Sequence, residues 1–196
     1  MPTVVVPFRS SDPKRRLTGV SSAERERLAE AMLNDVLAAA QPLGEVLVVA
    51  SGSPVLPAGV RHVPDPRRGQ GAAVQAALDA AVALPGPYLV VNADLPCATT
   101  RDLLALAGVV PDAGLALVAA ADGTTNALAL ADAALFEPVY GPGSAERFAT
   151  LAPARLFDSP NLADDVDTTA DLARLRGRVG AHTRRVLAAL RLETAA

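Results

Sequence analysis

SSAERERLAEAMLNDVLAAAQPLGEVLVVA, residues 21–50, changes its hydrophobic period once, and that change decides the fold class. Ser21 stands three residues before Glu24, the spacing of a capping box, and Leu28, Met32, Leu33, Val36 and Leu37 recur at the intervals of one helix face. Gln41, Pro42 and Gly44 stop the helix, and EVLVVA (45–50) follows as an unbroken apolar strand. Upstream, TVVVPF (3–8) is another short β-branched run. Strand, helix and strand in this order predict a βαβ unit, because a parallel pair needs a long crossover.

The alternation continues. RHVPD (61–65) reads as a short strand, GQGAAVQAALDAAVAL (69–84) as an Ala-rich helix opened by glycines, and YLVVNADLP (88–96) as a strand that turns polar at its tip. TTRDLLALAG (99–108) is a helix with a Thr cap, and LALVAA (115–120) a strand. Beyond it, TTNALAL (124–130) and ARLFDS (154–159) read as strands, and SAERFATLA (144–152), TTADLARLRG (168–177) and AHTRRVLAALRLETAA (181–196) as helices. The expected architecture is α/β: a three-layer αβα domain on a mainly parallel sheet, with mixed pairing in the second half. No repeat, linker or block of like charge divides the chain, so residues 1–196 read as one domain, with 181–196 as its terminal helix or tail.

Composition narrows the function. Hydrophobic residues make up 51% of the chain and aromatics 3%, so the core must be built from Ala, Val and Leu. No apolar run is long enough to span a bilayer and no leader follows Met1, so a soluble cytoplasmic protein is expected. A net charge of −3, with no basic stripe and few aromatics for stacking, argues against nucleic-acid binding. Cys97 is the only cysteine, which leaves no intrachain disulfide and no Cys-based zinc site. His62 and His182 lack partners at a recognisable triad or metal spacing.

In open α/β sheets ligands bind beyond the carboxyl ends of the strands, and four segments are expected to gather there. The loop PFRSSDPKRRL (7–17) carries Arg9, Lys14, Arg15 and Arg16, and Lys14 is the only lysine of the chain. A lysine supplies a compact point charge suited to a polyphosphate; the alternative is a solvated basic loop. Gly69 and Gly71 open the Ala-rich helix, either as a close backbone approach to a nucleotide or as a plain turn, and GxGxxG fails at Val74. Asp94, in NADLP, is either a loop hydrogen-bonder or a ligand for Mg²⁺, while Asn92 gains no role from its neighbours. In NLADDVDTTADL (161–172), Asp165 and Asp167 would project to one side of an extended segment at about 7 Å, or form an acidic turn. Thr168, with Asp171 three residues on, then opens a helix. Carboxylates converging with a basic loop suit nucleotidyl transfer.

The order of basic first loop, LxxAMLxDVLAA (28–39), Gly-rich helix start, DLP (94–96), GTTNAL (123–128), GPGS (141–144) and DVDTxxDL (165–172) resembles the guanylyltransferases of coenzyme F420 biosynthesis, over about residues 3 to 175. That resemblance implies a nucleotide-diphospho-sugar-transferase-like (Rossmann-like) fold, shared with the molybdenum-cofactor nucleotidyltransferases. It implies transfer of GMP from GTP to phosphoenolpyruvate or 2-phospho-L-lactate, with release of pyrophosphate. Carried over, Asp94, Asp165 and Asp167 would hold Mg²⁺, with Lys14, Arg16, Asp94 and Asp167 catalytic. Arg9, Lys14, Gly69 and Gly71 would bind the nucleotide, and Thr125, Asn126, Gly141 and Ser144 the phospho-acid, helped by free N–H groups where GPGS enters a helix. A homodimer is also implied. The first loop departs from the family by carrying Arg at positions 9 and 15, where Lys and a hydroxyl residue are usual. A nucleotidyltransferase for molybdopterin or a sugar phosphate, and a silent nucleotide-binding subunit, remain as alternatives.

Overall fold

The structure is a computed structural model that describes residues 1–9, 14 and 16–190; Arg15 and residues 191–196, over which the terminal helix or tail was expected to run, lie outside the described residues. β1 (Thr3–Phe8) and β2 (Glu45–Ala50) pair in parallel with Val4 opposite Val46, and α1 (Ser22–Ala40) crosses between them. The capping box is present: Ser21 accepts the Glu24 N–H and the Glu24 carboxylate accepts that of Ser21. β3 (Val60–Pro64) adds in parallel to β2, and after α2 (Gln70–Ala81) β4 (Tyr88–Val91) adds in parallel to the other side of β1.

The mixed pairing is concentrated in one strand. α3 (Thr100–Gly108) leads to β5 (Leu115–Ala119), which turns directly into β6 (Thr125–Leu130). That connection is too short for a crossover, so β6 runs antiparallel to β5, and it lies between β5 and β4, antiparallel to both. After α4 (Ser144–Ala149), β7 (Ala154–Leu156) closes the sheet in parallel to β5, in the order β3-β2-β1-β4-β6-β5-β7. The start of β6 therefore lies beside the carboxyl end of β4. α5 (Pro160–Ala163), one turn with Pro160 at its start, was not expected, and α6 (Thr169–Leu175) and α7 (Ala181–Leu190) follow.

Strand residues alternate between two cores, as the period of two requires. Val4, Val6, Val46, Val48, Leu89 and Val91 pack with α1, α3 and Leu162 of α5. Val5, Leu47, Val49, Val90, Leu117 and Leu128 pack on the other face with α2, Phe136 and α4. Leu28 and Met32 on the outer side of α1 form a third core with Leu17, Val166, Leu175, Val179 and Leu187, and this seats α6 and α7. Asp35 of α1 is buried, and its carboxylate accepts the backbone N–H groups of His182 and Thr183 at 2.9 Å each, so α1 caps the start of α7.

Candidate active site

β4 ends buried at Val91, and the chain then delivers Asn92 and Asp94. Asn92 is a three-way tie: its backbone N–H donates to the Asn126 carbonyl (3.0 Å), its Nδ2 donates to the Thr125 carbonyl (3.2 Å), and its Oδ1 accepts from Gln70 Nε2 (2.8 Å). One side chain thus joins the end of β4 to the start of β6 and to the first residue of α2. The Asp94 carbonyl accepts the Val166 N–H (3.1 Å), and the Pro96 carbonyl accepts the Gly180 N–H (2.8 Å). The first bond holds the loop after β4 against the loop that carries Asp165 and Asp167, and the second holds it against the junction before α7.

Asp94, Asp165 and Asp167 each offer one carboxylate oxygen within 4.8 Å of the others. Lys14 Nζ donates to Asp94 Oδ2 (2.5 Å) and to Asp167 Oδ1 (3.1 Å), and Arg16 pairs with Asp167 Oδ2 (3.2 Å). Burial acts against the ammonium of Lys14, but the Asp94 and Asp167 carboxylates outweigh it and hold the Lys14 pKa above its usual value. Lys14 has φ +56°, left-handed backbone that is uncommon for a non-glycine residue. Asp165 has its pKa raised, first by burial and then by the negative charge of Asp94, against the Asn126 amide, which donates to it at 3.4 Å. The cluster fits a hard divalent cation. Three carboxylates converge there, and among the described residues the buried Oδ1 of Asp94 accepts no hydrogen bond. Asp94 and Asp167 could hold such an ion, with Asp165 beside them.

All of these charged groups except Asp165 border a cleft of about 1030 Å³ along the strand ends. Arg9, Lys14, Arg16, Gly69, Asp94 and Asp167 all line it. So do Ser51, Asp65, Arg67, Gln70 and Asn92, none of which was assigned a role from sequence. Ser51 and Asp65 directly follow β2 and β3, and the rule that ligands bind beyond strand ends was the signal that could have found them.

The remaining residues lie elsewhere. A Cβ on Gly71 would stand 2.6 Å from Pro138 Cβ, so this glycine permits close packing; with Gly69 and Gly141 it lines a smaller cavity of about 780 Å³. The Thr125 and Ser144 hydroxyls are buried and bonded to each other at 3.1 Å. Asn126 donates to the Ala163 carbonyl (3.0 Å) as well as to Asp165. The N–H groups of Ser144 and Ala145, expected to be free at the helix entry, instead donate to the carbonyls of Gly141 (2.9 Å) and Gly123 (3.2 Å), because the turn closes on itself and the second bond ties it to the GTT loop.

Solved nucleotidyltransferases share this fold. A nucleotidyl transferase from Methanothermobacter thermautotroptrophicus superposes with a TM-score of 0.59 at 19% identity, covering 94% of this chain and 98% of that one. The 2-C-methyl-D-erythritol 4-phosphate cytidylyltransferase of Thermus thermophilus does so at 0.60 and 18%, covering 88% and 96%. In sequence, the chain is 34% identical over 181 residues to the 2-phospho-L-lactate guanylyltransferase of Methanosphaerula palustris, covering 89% of this chain and 83% of that protein. It is 34% identical over 189 residues to the phosphoenolpyruvate guanylyltransferase of Sphaerobacter thermophilus, covering 88% and 91%. The profile of the family described as guanylyl transferase CofC like matches residues 2–195, and with the shared fold and these relatives it establishes that the chain belongs to that family.

Proposed function

We propose that this protein transfers GMP from GTP to phosphoenolpyruvate or 2-phospho-L-lactate in coenzyme F420 biosynthesis, releasing pyrophosphate. The observation that carries this reading is the pairing of the cationic Lys14 and Arg16 with the Asp94, Asp165 and Asp167 cluster at one side of the cleft. Nucleotidyl transfer brings two anions together, and the protein's task is mainly positioning and neutralising charge. Mg²⁺, held by Asp94 and Asp167 with Asp165, would supply the Lewis acid that offsets charge at the α-phosphate.

The remaining roles belong to the chain. An oxygen of the acceptor's phosphate forms a bond to the α-phosphorus of GTP, and the bond from that phosphorus to the oxygen bridging to the β-phosphate breaks. The electron pair leaves with pyrophosphate, which Lys14, Arg16 and Arg9 receive. The attacking phosphate is already anionic at neutral pH, so no general base is required. Gly69 lets the nucleotide approach the start of α2. The Thr125, Asn126, Gly141 and Ser144 group shapes the acceptor side, with Asn126 also orienting Asp165. A homodimer is part of the same proposal.

The test is mass spectrometry of products after incubation with GTP, Mg²⁺ and each phospho-acid, alongside pyrophosphate release with GTP, CTP and ATP. Formation of a guanylylated phospho-acid is the expected result. No product from either acceptor, or equal turnover of molybdopterin or a sugar phosphate, would overturn the proposal.

A further inference from the structure

We propose that Asp65 reads the base of the nucleotide, accepting hydrogen bonds from two adjacent N–H donors on the Watson–Crick edge of guanine. The inference rests on the guanylyl-transfer reading and adds the residue that sets its base specificity.

Asp65 lines the same cleft as Lys14, Asp94 and Asp167, but at the other end. It follows β3, and Asp94 follows β4; β2 and β1 lie between them, three strand spacings or about 14 Å across the sheet. With the triphosphate at the Lys14 end, the part of a nucleotide that reaches β3 is the base, whose Watson–Crick edge is the region farthest from the phosphates.

A carboxylate is an unfavourable lining for a cleft that receives a polyanion, unless it faces donors. Guanine presents two side by side, N1–H and the 2-amino group, whereas adenine and cytosine present a ring-nitrogen acceptor at the equivalent place. Against those bases Asp65 would meet a lone pair, a repulsive contact that discriminates more strongly than a missing attraction.

The carboxylate is also fixed in place. Its Oδ1 accepts the Arg67 N–H (2.8 Å), its Oδ2 accepts the Ser51 hydroxyl (3.3 Å), and its backbone N–H donates to the Ala50 carbonyl (3.1 Å). Arg67 has φ +58°, left-handed backbone at a non-glycine residue. Each carboxylate oxygen keeps a further acceptor position, because an ionised carboxylate has about four. One oxygen pair held at two points is ready to receive a planar pair of donors without paying for its own ordering.

The test measures equilibrium binding of GTP, ITP, XTP and ATP, with Mg²⁺ and without acceptor, to the wild type and to Asp65→Asn. ITP lacks the 2-amino donor, so the wild type should bind it about 10-fold more weakly than GTP, and XTP and ATP about 100-fold more weakly. An Asn amide can accept from N1–H and donate to the 2-oxo group of xanthine. Asp65→Asn should therefore lose about 100-fold for GTP and gain XTP, inverting the preference. Equal wild-type affinity for GTP and ITP, or an equal loss for all four nucleotides in Asp65→Asn, would overturn the assignment; the latter would point to the ribose hydroxyls or to a purely structural turn. Selective GTP binding without transfer to a phospho-acid would support the base contact while sinking the transfer reading, and no binding of any nucleotide would sink both.

Discussion

At the scale of single residues, Asp94 joins three features in one side chain and its own backbone. Its carbonyl holds Val166, its Oδ2 meets Lys14, and its buried Oδ1 has no hydrogen-bond partner among the described residues. Asp94→Asn keeps the shape and removes the charge. It should lower GTP-dependent pyrophosphate release at least about 100-fold and weaken Mn²⁺ binding followed by electron paramagnetic resonance, with an unchanged circular dichroism spectrum. Unaltered Mn²⁺ binding would remove Asp94 from the ligand set. The carboxylates were legible because each sits in a short local pattern, DLP or DVDT. Asn92 and Asp65 were not, because their roles depend on partners well away in sequence: Asn92 ties to Gln70, Thr125 and Asn126, and Asp65 to Ser51. Asn126 shows the same limit, since its bonds to Ala163 and Asp165 could not be read from GTTN alone.

At the scale of elements, local rules carried furthest where the stabilising contact is itself local. The capping boxes of α1, α3 and α6 are spacings of three residues, and each is formed. α5 is a single turn after Ser159-Pro160, too short to announce itself by periodicity. The cap of α6 also bears on the site. Thr168 accepts the Asp171 N–H, and the Asp171 carboxylate accepts the N–H groups of Thr168 (2.9 Å) and Asp167 (3.2 Å), so it fixes the backbone beside a metal-ligand candidate. Thr168→Ala should cost about 1 kcal/mol in urea denaturation. Burial would raise the Asp171 pKa, but its bonds to Thr168 and Arg174 outweigh this and depress it. A carboxyl depressed by folding contributes stability that is present above its unfolded value and lost as pH falls through its folded one. The stability difference between wild type and Asp171→Asn should therefore be full at neutral pH and vanish in that acid range; a difference that stays constant would discard this linkage.

At the scale of the whole molecule, α7 is fastened by the apolar contacts of Leu187 and, at its start, by the buried carboxylate of Asp35. Asp35→Ala would leave the His182 and Thr183 N–H groups without their acceptor, costing about 3 kcal/mol, and hydrogen exchange should accelerate first in α7. The Gly180 bond to Pro96 links that junction to the loop after β4, so the variant should also lose turnover beyond its loss of folded protein. The αβα layering was readable because alternation of strands and helices restricts topology. The order of β4, β6 and β5 was not, because strand pairing is decided between distant segments. β6, running against its neighbours, presents its beginning where they present their endings. The turn before it, residues 121–124, is a hairpin connection, and its length can change without disturbing the alignment of β1 through β4. Evolution can thus vary the hairpin end of the sheet as an exchangeable part while leaving the parallel half, with Asp94 beyond β4, under its own, separate selection.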